Sequence, residues 1–374
     1  MVIAIQALFF LYFLFVIILL IGWRRAASLA PSQVSVRERL PFITVIVPFR
    51  NESLHIQSLL NTLIRQTYPQ DRMEVILADD HSEDQSGAIA KEWIRTHNAG
   101  QFKLIQLPEK LQGKKSAITE AIRLAKGEWV VTTDADCTVQ PGWLVAMAKY
   151  IDGRNEMVCG PVRLEAGNTF FGSLQSLEFA SLIGTGASTL ALGMPTMCNG
   201  ANLAFRKKAF EKVGGYEGNC DIASGDDEFL LRKIYARNPK GVKFSAFPES
   251  IVTAKALASV GDFFHQRVRW ASKWKKHRLG VQTLVAPFIF LFHCAVVAVP
   301  VLGLTGRLTL AEIAILLGGK LIFEFMFLAR VNKFLNTPFN AISLLALQIV
   351  YPLYVVLFGI SANVSGTYWK GRKI

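Results

Sequence analysis

The stretch Val130-Val131-Thr132-Thr133-Asp134-Ala135-Asp136-Cys137 runs four β-prone residues into two carboxylates one residue apart. Residues two apart on a strand face the same side. Asp134 and Asp136 therefore share one face wherever the extended geometry persists. Two hard oxygen donors so placed suit Mg²⁺ or Mn²⁺, which keep positions open for water and substrate phosphates. The competing reading is an Asp pair closing a strand-end turn, and the flanking sequence has to decide between them.

Upstream, Phe42 to Pro48 is a continuous apolar run suited to a buried parallel strand. Pro48 is expected to end it, and Phe49-Arg50-Asn51-Glu52 to turn into a helix near 53–66. Glu74 to Ala78 reads as a second buried strand closing on Asp79-Asp80-His81-Ser82-Glu83-Asp84, with a helix to about His97 and a strand from Phe102 to Leu107. Gly113-Lys114-Lys115-Ser116 opens a helix to about Ala125, and Glu128 to Thr133 delivers the two aspartates. Strands alternating with helices imply βαβ units and a mostly parallel, doubly wound sheet. Ligands in such sheets sit beyond the carboxyl ends of the strands, where the acidic clusters fall.

Downstream, Phe170 to Leu192 reads as a helix, either against a membrane face or buried. Asn199 to Arg206 reads as a strand with small residues where a ligand or backbone can approach. Gly214-Gly215-Tyr216 is a turn. Ser224 to Arg232 is a carboxylate-rich helix start, where negative charge suits the helix dipole. Gln266-Arg267-Val268-Arg269-Trp270 follows, then Trp274 and the basic run Lys275-Lys276-His277-Arg278.

The chain has 374 residues, 51% of them apolar, and a net charge of +13. Its mean hydropathy is positive, so anionic membrane headgroups fit the charge better than nucleic acid does. Residues 3–22 are almost wholly apolar and precede Trp23-Arg24-Arg25. That length crosses the hydrocarbon core. The charge follows the apolar run, unlike a signal peptide, and the positive-inside rule places the next domain in the cytoplasm. Residues 26–40 look like a linker. Leu284 to Leu304 and Asn340 to Ser361 are long enough to span, and transmembrane helices tolerate their prolines. Leu308 to Leu328 carries Glu312, Lys320 and Glu324 and is a weaker span. Three C-terminal spans would put Lys370, Arg372 and Lys373 outside, against the positive-inside rule. A middle segment that lies in the interface or re-enters would resolve this. Five cysteines without a Cys-x-x-Cys pair fit a reducing cytosol.

With these residues in order, the chain resembles a membrane-anchored family 2 glycosyltransferase of the GT-A fold over roughly residues 40 to 275. The landmarks are Val47-Pro48-Phe49-Arg50-Asn51-Glu52, Asp79-Asp80-His81-Ser82, Gly113-Lys114, Asp134-Ala135-Asp136, Gly225-Asp226-Asp227 and Gln266 to Trp270. The resemblance implies a nucleotide site at Pro48, Arg50, Glu52, Asp79, Asp80, Lys114 and Asp134, with Asp79 and Asp80 accepting from base and ribose. It implies Lys114 near the diphosphate and Asp134 with Asp136 on the metal. Asp227 aligns with the family's catalytic base, with Asp226 where Glu is usual and as its competitor for that role. Gln266, Arg269 and Trp270 resemble a Q-x-x-R-W motif that meets diphosphate and acceptor; an interfacial amphipathic segment is the alternative. His81 stands where the family commonly has Gly.

The expectation is an α/β GT-A catalytic domain flanked by transmembrane helices: an anchor at 1–23, a linker at 24–40, the glycosyltransferase domain at 41–280 and a C-terminal membrane region at 281–374. It is expected to be an integral protein of the inner or plasma membrane with its catalytic domain in the cytoplasm. The implied reaction is inverting, Mg²⁺- or Mn²⁺-dependent transfer of a hexosyl or N-acetylhexosaminyl group. The donor is a nucleotide sugar, UDP-linked most often in the family. The acceptor is a hydroxyl on a lipid-linked glycan or polysaccharide, and nucleic acid is not an expected partner. A processive synthase, a nucleotidyltransferase and a non-catalytic membrane scaffold are the alternatives. A nucleotidyltransferase more often carries a Gly-rich phosphate loop after the first strand, and Pro48 to Glu52 is not one.

Overall fold

The computed structural model describes residues 1–28, 40–219, 224–271 and 281–361, with the short strands at 368–369 and 372–373. Most of the expected linker, the run from Trp274 to Arg278, and Lys370 lie outside the described residues. In chain order the elements begin with α1 (Val2–Ser28), β1 (Ile43–Phe49), α2 (Ile56–Leu63), β2 (Met73–Asp79), α3 (Ser86–Thr96), β3 (Phe102–Gln106), α4 (Lys114–Leu124) and β4 (Trp129–Thr132). Next come β5 (Cys137–Val139), α5 (Trp143–Ala148), β6 (Met157–Cys159), β7 (Val162–Glu165), α6 (Phe170–Ala191), β8 (Leu203–Arg206), α7 (Lys207–Lys212) and α8 (Asp226–Arg237). The last are β9 (Val242–Phe244), β10 (Val252–Lys255), α9 (Val260–Ala271), α10 (Val281–Leu304), α11 (Leu310–Leu335), α12 (Ala341–Ser361), β11 (Tyr368–Trp369) and β12 (Arg372–Lys373).

These elements fall into two compact units. One comprises Ala26–Arg163 and Met197–Lys255 and holds a seven-stranded sheet in the order β3-β2-β1-β4-β8-β6-β9. β1, β2, β3 and β4 run parallel, β8 runs antiparallel to β4, and β9 is parallel to β6. The apolar runs read from the sequence are its centre: every residue of β1, β2 and β4 is buried. Each buried Val, Ile or Leu there contributes about 1.5–3 kcal/mol.

Pro48 does not end β1; it pairs in register with Ala78 and the strand runs to Phe49. Alternate residues point their amides to opposite neighbours, and Ile46 O accepts from Thr133 N on the β4 side. Pro48 faces that same side, beyond the last residue that β4 pairs, so its missing N–H breaks no ladder bond.

The second unit comprises Met1–Arg25, Leu164–Thr196 and Ala256–Ile374 and is built of long helices. Among the described residues, three are long and apolar enough to cross a membrane: Val2–Ser28, Leu284–Leu304 and Ala341–Ser361. The helix expected from Phe170 is α6, and it belongs to this unit. A Cβ on Gly22 would lie 2.6 Å from Ser188 O, and one on Gly184 would lie 2.6 Å from Val331 Cγ2. These two glycines let α1 and α11 approach α6 at backbone distance, as small residues do between membrane helices.

Candidate active site

β4 stops at Thr132, and of the two aspartates that follow Asp134 lies outside any strand and Asp136 in a turn. Cys137 N donates to Asp134 O at 3.1 Å, closing a turn before β5. The shared strand face expected for Asp134 and Asp136 is therefore replaced by a turn. Asp134 is half-buried, Ala135 buried and Asp136 exposed. The reason is local: β4 is pinned on both sides, by β1 and β8, and the ladder ends where β8 begins at Leu203.

Lys114, first residue of α4, reaches across to this turn. Its Nζ lies 2.7 Å from Asp134 Oδ1 and 3.3 Å from Asp226 Oδ2. Burial disfavours the ammonium, but the carboxylates of Asp134, Asp226 and Asp227 outweigh it and hold the lysine well above its ordinary pKa. Burial raises the Asp134 carboxyl; Lys114 pulls it down, Asp136 and Asp226 push it up, and the net shift is upward.

Asp226 and Asp227 open α8 from Gly225, whose φ of +80° is a left-handed conformation that glycine adopts freely. Asp226 is buried against Lys114. Asp227 is more open: its Oδ2 accepts from Gly200 N at 3.1 Å and its Oδ1 from Glu228 N at 2.7 Å. Gly200 lies in a 3-10 turn, Gly200–Asn202, where a strand was expected; only Leu203–Arg206 is extended. A Cβ on Gly200 would come within 2.8 Å of Asp226 Oδ2 and 3.3 Å of Lys114 Nζ. Thr132 Oγ1 holds the Gly200 carbonyl at 2.7 Å. The small residue makes room for the carboxylates.

Lys115, beside Lys114, is buried and braces the approach to α8. Its Nζ donates to Asn219 O at 2.6 Å and Ser224 O at 3.1 Å, and it sits 5.3 Å from the Phe229 ring. Tyr216 is buried near the same cluster, and burial, then Asp226, raises its hydroxyl pKa well above the ordinary value.

At the end of β2, Asp79 Oδ1 accepts from Ser82 N at 2.9 Å, and Asp80 Oδ2 accepts from Gly113 N at 3.0 Å. Both carboxylates are buried. His81, which follows them, has φ +56°, so a left-handed turn position is held here by a histidine, whose Nε2 meets Leu111 O at 3.0 Å. Arg50 is buried too. It donates to Asp80 O at 2.9 Å and to His81 O, and pairs with Glu83 Oε1 at 2.6 Å. Glu52 N donates to Ser86 Oγ at 2.7 Å, while its carboxylate meets His55 Nδ1 at 3.1 Å. Arg50 and Glu52 thus shape the β2–α3 turn, and Pro48 sits inside β1.

The structure brings Lys114, Asp134, Asp226 and Asp227 together at the carboxyl end of β4, and ties Asp80 to the residue before Lys114. Gln266, Arg269 and Trp270 lie in the other unit, on α9. The centre of that helix is Arg267. It pairs with Glu178 Oε2 at 2.5 Å, donates to Gln266 Oε1 at 3.0 Å, and stacks 4.2 Å from Trp270 and 4.6 Å from Phe263. Helical spacing of Phe263, Arg267 and Trp270 was the sequence signal for this. Gly200 was marked only as one of the small residues where a ligand or backbone can approach, and Lys115 and Thr132 carried no signal of their own, because their partners are distant in sequence.

Two exposed or half-exposed carboxylates beside a net-negative cluster fit a divalent cation: Asp134, Asp226 and Asp227 act on one ammonium, and Asp136 adds its charge at Asp134. Among the described residues no group of three or more His, Cys, Asp or Glu could hold a metal. The protein would therefore supply only Asp134 and Asp136, with phosphates and water completing the shell.

Residues 44–214 match the family Glycosyl transferase family 2, and this part of the chain is a glycosyltransferase domain of that family. The chain is 25% identical over 252 residues to the probable glycosyltransferase YdaM of Bacillus subtilis. It is 28% identical over 244 residues to the poly-beta-1,6-N-acetyl-D-glucosamine synthase of Staphylococcus epidermidis. Each alignment covers 63% of this chain and 55% of the relative, so the chain spans about half the length of the curated relatives it matches. Among solved structures, mannosyltransferase PcManGT of Pyrobaculum calidifontis, bound to GDP-Man and Mn²⁺, aligns over 94% of this chain and 98% of its own. The TM-score is 0.59 at 21% identity, a likeness of fold. The α/β fold is thus GT-A-like, and residues 44–214 form a domain of the glycosyltransferase class.

Proposed function

We propose that the chain transfers a hexosyl or N-acetylhexosaminyl group, with inversion, from a nucleoside-diphosphate sugar to a hydroxyl of a lipid-linked glycan or polysaccharide. The site works on the cytoplasmic face of the membrane. The observation that carries this is the junction at Lys114, where one ammonium joins Asp134, at the expected metal turn, to Asp226, beside the expected base.

In this reading Asp79 and Asp80 recognise base and ribose. Asp134 and Asp136 would hold Mg²⁺ or Mn²⁺, which when bound would supply positive charge against the diphosphate. Lys114 contacts the same diphosphate. Asp227, the more open of the α8 pair, takes the proton from the acceptor hydroxyl as its oxygen attacks the anomeric carbon. The bond from that carbon to the diphosphate breaks, and the nucleoside diphosphate leaves. Asp226, buried against Lys114, orients the lysine instead of acting as the base. Gln266, Arg269 and Trp270 serve the acceptor and diphosphate from α9.

The test is nucleotide binding to the detergent-purified chain, comparing UDP, GDP and CDP with and without Mn²⁺. One diphosphate should bind tightly and only with the metal; folded protein that binds none refutes the donor site. Asp227→Asn should cut transfer roughly 10²–10⁴-fold while sparing binding, whereas Asp134→Ala should weaken metal-dependent binding. Equal loss of binding in both would refute that division of roles. The likeness to poly-N-acetylglucosamine synthases favours a second reading, processive polymer formation, and product length under excess donor separates the two.

A further inference from the structure

By hydropathy α12 is a membrane span and α11 is not. The packing within the helical unit points the other way. Gln6 of α1 meets Glu312 of α11 at 3.1 Å, and Phe13 stacks on Phe323 with ring centroids 5.0 Å apart. Trp23 meets Phe334 at 5.5 Å. The two helices therefore run parallel and side by side for about 26 Å of α1, at 1.5 Å per residue. A helix matched to the most apolar span along its length lies at the same depth throughout.

The charges of α11 are handled accordingly. Lys320 is 1% exposed and pairs with Glu324 at 2.9 Å and Gln348 at 2.8 Å; Tyr12 of α1 donates to Glu324 at 2.6 Å. The outward face carries Leu310, Ile315, Ile322, Phe325 and Met326. Arg330 and Lys333 are exposed near the C-terminal end. Polar groups inward, apolar groups outward and basic residues at one end are the pattern of a membrane-crossing helix.

The contacts of α12 start near the end of α11 and go no deeper than the middle of the bundle. Leu344 packs with Leu328, seven residues before the end of α11. Gln348 and Tyr351 reach the middle of the bundle, at Lys320 and at His293, whose ring is 5.2 Å from that of Tyr351. Past Pro352 the helix goes no deeper: a Cβ on Gly359 would lie 2.6 Å from Phe290, within one turn of His293 and on its N-terminal side along α10. Phe358 meets Phe264 of α9 at 4.9 Å, and β11 lies against α9. The far end of α10 is elsewhere, with Gly303 against Ile313 of α11.

We propose that α1, α10 and α11 cross the membrane and that α12 re-enters it without crossing, returning the C-terminus to the side of the glycosyltransferase domain. This placement keeps Arg372 and Lys373 on the side that carries Arg24 and Arg25, and it does not depend on the reaction proposed above.

The test inserts an epitope tag in the full chain at Gly153, in the sheet unit, at Gly306, between α10 and α11, or after Ile374. Each is probed with antibody in sealed vesicles before and after permeabilisation. The C-terminal and Gly153 tags should be accessible from the same side and the Gly306 tag from the opposite one. A C-terminal tag sharing the side of Gly306 would mean that α12 crosses; a Gly306 tag sharing the side of Gly153 would mean that α10 and α11 do not. Either overturns the proposal. If the Gly306 insertion fails to accumulate, Arg307→Cys with a membrane-impermeant maleimide, read against the parent chain, answers the same question. Labelling from the side of the Gly153 tag would refute it.

Discussion

Lys114 and Gly200 show how single residues assemble the site. Lys114 is the cation between Asp134 and Asp226, so Lys114→Ala leaves carboxylates facing each other across the site. Transfer should fall by roughly 10²–10³-fold, the size expected when one preorganised charge partner is lost, with the far-UV spectrum unchanged. Near-normal turnover would remove the lysine from the diphosphate role. Gly200→Ala tests space and not charge. The added methyl would stand 2.8 Å from Asp226 Oδ2, so activity should drop much more than thermal stability. A fall in melting temperature with activity per folded molecule intact would show the glycine to be structural.

At the scale of elements, the sheet unit is locked where β1, β2 and the α4–β4 link meet. Glu74, 3% exposed, accepts from Thr44 Oγ1 at 2.8 Å, Lys126 N at 2.6 Å and Lys103 Nζ at 3.2 Å. Burial raises its carboxyl, but these donors, Lys126 N first, bring it below the ordinary value of 4.5. A carboxylate depressed on folding stabilises above its unfolded value, and the effect is lost as pH falls through the folded one. Glu74→Gln should therefore cost about 1–3 kcal/mol at pH 7, and the gap to the parent should narrow below pH ~4.5. A gap constant from pH 7 to 3 would mean that the charge is irrelevant. The brace before α8 is a second such lock. Lys115→Met removes both donors to Asn219 and Ser224 and should destabilise by about 1–3 kcal/mol, visible as a lower melting temperature with nucleotide binding weakened.

At the scale of the whole molecule, the helical unit depends on polar groups that hydropathy counts against it. Removing one partner of a buried pair is worse than removing both. Lys320→Met should destabilise the detergent-solubilised chain by about 3–5 kcal/mol, and adding Glu324→Leu should restore part of the loss. Double and single variants of equal stability would show that the Lys320–Glu324 pair is not coupled.

The sequence by itself determined the alternation of strands and helices, because a parallel strand buried on both faces must be mostly apolar, as Ile43–Phe49 and Met73–Asp79 are apart from Thr44, Glu74 and Asp79. It also placed the acidic clusters at strand ends and marked the apolar spans. Tertiary structure decided the rest. Whether Asp134 and Asp136 share a strand face depended on where β8 stops pairing with β4, some 70 residues away. That Gly200 belongs to the site depended on α8 folding back over it. That Arg267 anchors α9 depended on Glu178 in another helix. The charges that made α11 look a weak span are matched by Tyr12 and Gln348, and a partner so distant in the chain is invisible to any local reading of hydropathy.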